Sequence, residues 1–147
     1  MPLPAKNWFP FTEDSIPPKD RMSLTVQWLT NYFDNGDIRE RDESKISFIV
    51  PSTTIVPSIY SMHPYLSEIV FPDALAGSDG LLMKFLGAQL STNYHKACYS
   101  KEVKELFPHL KVWEITGDMT GSFGVLCYWQ IQDDDRANGG EIGRAHV

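Results

Sequence analysis

The stretch from Leu110 to Asp135, LKVWEITGDMTGSFGVLCYWQIQDDD, restricts the fold more than any other part of the chain. Val112, Trp113 and Ile115 are apolar and β-favouring, a short run of the kind that builds a buried strand. The run breaks at Gly117-Asp118, and Thr120-Gly121-Ser122 punctuates it again. Phe123, Val125, Leu126, Tyr128, Trp129 and Ile131 then form an apolar run long enough for a helix. The order is strand, tight polar turn, helix. In α/β folds, ligands and catalytic side chains gather at the turn beyond a strand's carboxyl end. Asp118 stands at that turn.

The chain before this unit is of a different kind. Residues 1–19 carry Pro2, Pro4, Pro10, Pro17 and Pro18 and read as a leading loop, with Trp8, Phe9 and Phe11 tucked against apolar surface. Asp20 to Phe33 reads as a helix with Leu24, Val26, Trp28, Leu29, Tyr32 and Phe33 on its apolar face, stopped by Asn35-Gly36. Ile46 to Val50 is a short apolar run, helix or strand, ended by Pro51. Residues 51–64 read as an extended, ordered loop. A short helix follows from Pro64 to Val70. Another runs from Leu81 to Leu90, capped by Ser78 or Asp79, with Leu81, Leu82, Phe85, Leu86 and Leu90 buried. Ser91 to Ser100 reads as polar loop, and Lys101 to Leu106 as a helix that ends before Phe107-Pro108. The fold class is therefore mainly α with a minor β component.

At 147 residues the chain is long enough for one domain with a real core. Its net charge of -6, without a basic run, argues against nucleic acid and anionic membrane as partners. No apolar run approaches the roughly 20 residues needed to cross a bilayer. The start lacks a charged segment followed by an apolar one, so no secretory signal is expected. Cys98 and Cys127 make no disulfide framework and fit reduced thiols in a cytoplasmic protein. Four Trp, six Tyr and eight Phe point to apolar pockets or a lid rather than a disordered tail.

The last seven residues stand apart. Glu141 to Val147 back-translates to GAG ATC GGA AGA GCA CAC GTC, which resembles a widely used sequencing-library adapter read in frame. The expectation is that 141–147 is an artefactual tail, that the natural sequence departs from this one near Gly140, and that the chain is a fragment.

With the tail set aside, the order and spacing of residues 20–140 resemble the C-terminal half of an α/β-hydrolase-fold protein of the kind common in fungi. The resemblance rests on Val50-Pro51-Ser52-Thr53 and Pro57-Ser58-Ile59-Tyr60 in a helical stretch, then Leu106-Phe107-Pro108-His109-Leu110, then Val112-Trp113-Glu114-Ile115-Thr116-Gly117-Asp118. It implies a helical cap over residues 20–109 and one core strand-helix unit over 110–140, together a fragment of a three-layer fold. It implies that Asp118 is the triad acid, although the family more often places that acid at the position of Thr120. The nucleophile elbow, G-x-S-x-G, does not occur in the chain, and the triad His would lie beyond Gly140. The parent implied is a hydrolase for a small, fairly apolar ester, epoxide or similar substrate, with no cofactor and no metal. The fragment by itself is expected to be inactive, because a triad needs all three parts. The residues alone also leave open a non-catalytic, mostly helical binding or scaffold domain, or a pseudo-hydrolase.

The other candidate residues read as structural. Ser122 suits the N-cap of the following helix better than a nucleophile. Asp133, Asp134 and Asp135 project about 100° apart on a helix, so they do not converge on a metal and form a solvated helix end. His63, His95 and His109 are scattered, without metal-ligand spacing. Cys98 has no nearby His to activate it. Trp28, Trp113 and Trp129 read as core, while Tyr60 and Phe85 are positions a cap would use to line a pocket. A lone core strand lacks sheet partners, so residues 111–115 are expected to be exposed or mispaired.

Overall fold

The computed structural model describes residues 8–65 and 85–146. Helix α1 spans Pro18–Leu29, α2 Gly87–Tyr99, α3 Lys101–Leu106 and α4 Ser122–Ala137. Strand β1 is Trp113–Thr116 and β2 is Gly143–His146. Short 3-10 turns occur at Pro10–Thr12, Ile38–Glu40, Glu43–Lys45 and Ser58–Tyr60. Among the described residues the fold is mainly α with a minor β component. None of the described helices is long and apolar enough to cross a membrane.

The two strands pair in parallel, Trp113 opposite Gly143 and Ile115 opposite Ala145. Parallel neighbours need a long crossover, and α4 supplies it. The result is a β-α-β unit whose second strand comes from the segment set aside as adapter-like. The chain leaves α4 through Gly139 and Gly140, at φ 110° and 74°. This left-handed backbone suits glycine, and the Gly140 amide closes the helix end on the Asp135 carbonyl at 2.8 Å.

The core forms where the loop 38–48 lies on α4, burying Ile38, Ile46, Val125, Tyr128 and Trp129, with Phe48 and Leu126 against them. Trp129 Nε1 donates to the Ile38 carbonyl at 2.7 Å. Arg41 takes a left-handed backbone, φ 57°, unusual for a residue with a side chain. That turn aims its guanidinium at α4, where it forks onto both carboxylate oxygens of Asp133 at 2.6 Å. A second cluster centres on Trp28, whose ring meets Trp8, Phe9, Phe33 and Phe123 at centroid distances of 5.6–5.9 Å.

Several sequence expectations change. α1 stops at Leu29, before Asn35-Gly36: the backbone leaves helical geometry at Thr30, at φ -98° and ψ 0°, whose hydroxyl caps the Val26 carbonyl at 2.9 Å. Trp28 and Phe33 are buried, but Leu24, Leu29 and Tyr32 are exposed. Residues 91–99, read as loop, belong to α2. No Gly or Pro interrupts residues 88–99, and the backbone turns extended only at Ser100, between α2 and α3. Of the expected buried face 81–90, Phe85, Leu86 and Leu90 are exposed, and 81–84 lie outside the described residues, as do 66–70 of the helix expected from Pro64. Ile46 to Val50 is neither helix nor strand, while 51–64 is an ordered loop with one 3-10 turn, as expected. The α4 N-cap is Gly121, and Ser122 is the first helical residue, fully buried. Trp28 and Trp129 are core, but Trp113 is not: it is 62% exposed and Ile115 70%.

Candidate functional site

Period-two alternation decides what β1 offers. Trp113 and Ile115 point away from α4 and into solvent, so Glu114 and Thr116 point toward it. The strand turns its apolar face outward and its one carboxyl inward.

At the carboxyl end of β1, Thr120 N donates to the Gly117 carbonyl at 3.3 Å and closes the turn that carries Asp118. The loop after α1 clamps it. Asn35 Nδ2 donates to the carbonyls of Asp118 and Thr120, each at 2.9 Å, and the Phe33 amide donates to the Met119 carbonyl at 2.9 Å. Asn35 is itself held, since its Oδ1 accepts the Ser47 amide at 3.0 Å. Asp118 is exposed and lines an open cavity of about 410 Å3 with Asn35, Gly36, Asp37, Ile38 and Arg39. Arg39 grips Asp37 through both oxygens at 2.8 and 2.7 Å, which holds the Asp37 carboxyl down at about 2. The turn thus places Asp118 in a fixed backbone beside a cationic side chain.

His63, His95 and His109 lie elsewhere, while the backbone of His146 pairs with Thr116 at the end of β1. His63 Nδ1 accepts the Tyr65 amide at 3.2 Å, His109 is exposed, and His95 packs between Tyr94 and Tyr99 with Nε2 4.0 Å from Asp134 Oδ2. The three consecutive aspartates diverge as their helical spacing requires. Asp133 binds Arg41, Asp134 accepts Gln130 Nε2 at 3.0 Å, and Asp135 accepts the Ile142 amide at 3.0 Å and Arg144. Asp135 is buried, not solvated, because β2 folds over it. Among the described residues, no three His, Cys, Asp or Glu side chains gather as a metal-ligand set.

A second cavity, about 390 Å3, lies between β1, α2 and α4. Glu114 is its polar centre. Its side chain is 8% exposed, and its Oε2 accepts no hydrogen bond. Arg144 Nε stands 3.9 Å away, while its Nη2 is engaged by Asp135. Burial pushes the Glu114 carboxyl up from 4.5 to about 7; Arg144 opposes the rise and Asp135 adds to it. Tyr94 and Cys98 face it from α2, Cys127 and Tyr128 from α4. Burial raises the pKa of all four, so both thiols stay protonated and unactivated. Glu114 does not stand out when the strand is read as one buried apolar run. The signal was there: in Val112-Trp113-Glu114-Ile115, alternation puts Glu114 on the face opposite Trp113 and Ile115. Tyr60 and Phe85, the expected pocket liners, are both exposed.

No protein-family model, curated protein or solved structure matches this chain.

Proposed function

We propose that this chain is the cap region and one core β-α unit of an α/β-hydrolase-type protein, acting in the parent on a small, fairly apolar ester, epoxide or similar substrate. The observation that carries the reading is the uncovered face of β1. Sheets with parallel strands are covered on both faces, yet Trp113 and Ile115 stand in solvent. They are the side chains that a further layer would cover. The Asp118 turn, held by Asn35 at the carboxyl end of that strand, supports a carboxylate whose role is to orient an imidazole supplied from outside this chain. The cap shapes the pocket and excludes water around the reacting carbonyl or ring. The free thiols Cys98 and Cys127 support a reducing, cytoplasmic setting.

On this reading the chain of 147 residues is catalytically silent, and an extended chain that adds an elbow nucleophile and a histidine is active. Turnover of a p-nitrophenyl ester separates the cases. Hydrolysis above the buffer rate by the 147-residue chain, abolished by Asp118→Asn, would overturn the reading. An extended chain that folds but lacks a nucleophile elbow would favour a binding module or pseudo-hydrolase.

A further inference from the structure

Gly117 and Met119, the chain neighbours of Asp118, line a third cavity, open and of about 550 Å3. That volume is within the roughly 300–1,000 Å3 of small-ligand sites. Its walls lie in residues 28–33, 55–58 and 117–123, so the adapter-like tail contributes nothing to it. Backbone hydrogen bonds tie the three segments together. The Phe33 amide donates to the Met119 carbonyl at 2.9 Å, and the Ser58 amide donates to the Thr30 carbonyl at 2.8 Å. The walls therefore stand in place before anything binds, which spares a ligand the cost of ordering them.

The lining has two parts. Trp28 and Phe33 are buried, with ring centroids 5.7 Å apart, and the Phe123 ring lies 5.6 Å from Trp28. Leu29, Tyr32 and Ile55, which line the same cavity, are each more than one-third exposed. Apolar surface left in water at a concave site is what a ligand's own apolar surface covers. Among the described residues that line the cavity none carries a charge, so an ion of either sign would leave water there without a partner. The polar handle is a pair of hydroxyls: Tyr32 Oη and Ser58 Oγ are hydrogen-bonded at 3.0 Å. Each hydroxyl has a hydrogen and lone pairs, and only one hydrogen is used between them, so the pair keeps a donor and acceptors for a third oxygen.

We propose that this cavity binds a small neutral aromatic molecule with a hydrogen-bonding oxygen, its ring against Leu29, Ile55 and Phe123 and its oxygen on the Tyr32–Ser58 pair. The proposal does not rest on the hydrolase reading, because every wall belongs to this chain and binding needs no catalytic group.

The test is a nitrogen-15 NMR titration of the full 147-residue chain at pH 7 with para-cresol, using para-xylene and para-toluate as its oxygen-free and anionic counterparts. The expected result is one saturable set of shifts, for cresol and xylene but not toluate, at the Trp28 indole N–H and the Ser58 and Met119 amides. Tyr32→Phe combined with Ser58→Ala should weaken cresol about threefold or more and leave xylene unchanged. Unchanged xylene binding also shows that the doubly substituted chain has kept its fold. Shifts centred on the Trp113 indole would put the ligand on the exposed face of β1 and overturn the proposal. So would the absence of saturable shifts, toluate binding as well as cresol, or a double substitution that leaves cresol unchanged or weakens cresol and xylene alike.

Discussion

Replacing Glu114 by Gln should change how stability depends on pH, and the size of the change follows from the site. In the folded chain burial holds the carboxyl at about 7, against 4.5 when it is exposed. Between those values the folded chain keeps a proton that the unfolded chain has released. Stability therefore falls as pH rises through this window, and the loss is complete above about pH 7. The gap corresponds to roughly 3 kcal/mol, at about 1.4 kcal/mol per pH unit. Glutamine keeps the shape and carries no titration, so its own burial cost is constant with pH. Urea denaturation of both proteins at pH 4.5 and pH 8 isolates the effect. Relative to Glu114→Gln, the unaltered chain should lose about 2–3 kcal/mol between the two pH values. Two proteins whose stabilities run parallel, within about 0.5 kcal/mol, would show that Glu114 is not held in a dry site.

Trp129→Phe removes the indole donor to the Ile38 carbonyl inside the core. It should cost about 2–3 kcal/mol in chemical denaturation, more than ring shrinkage alone, because a buried acceptor is orphaned. Gly124→Ala would place a Cβ 2.5 Å from Thr120 Oγ1 and should destabilise by about 1–3 kcal/mol. Combining it with Thr120→Ala should recover much of that loss, a non-additivity that a double-mutant cycle measures. Trp113→Thr with Ile115→Thr removes the exposed apolar face of β1. Light scattering should then show slower aggregation at unchanged or better yield, whereas a lower melting temperature would mean that the face is covered in solution.

The parts that were legible in the sequence carry local signals. Pro108 ends α3, Gly117-Asp118 ends β1, and the run from Phe123 announces α4. The divergence of Asp133 to Asp135 followed from helical geometry alone. What failed to read depends on partners distant in sequence. Leu24, Leu29 and Leu90 match an apolar stripe as well as Trp28 does, but they stay exposed, while Trp28 is buried against the rings of Phe33 and Phe123. Residues 91–99 look like loop because they are polar, yet polarity decides solvation, not backbone conformation. Tyr94 and Cys98, four residues apart, turn inward and fix the helix against the Glu114 cavity. The clamp of Asn35 on the Asp118 turn joins residues more than eighty apart and left no mark in local sequence. Asp135 read as solvated because its cover, β2, comes from residues set aside as foreign to the fold.

Sequencing the genomic DNA on both sides of this chain decides whether it is a piece of a hydrolase-type protein. The reading frame should continue upstream of Met1 to a G-x-S-x-G-like elbow, and beyond Gly140 it should depart from Glu141-Ile142-Gly143-Arg144-Ala145-His146-Val147 and reach a histidine. A start at Met1 with a stop near Gly140 would contradict it.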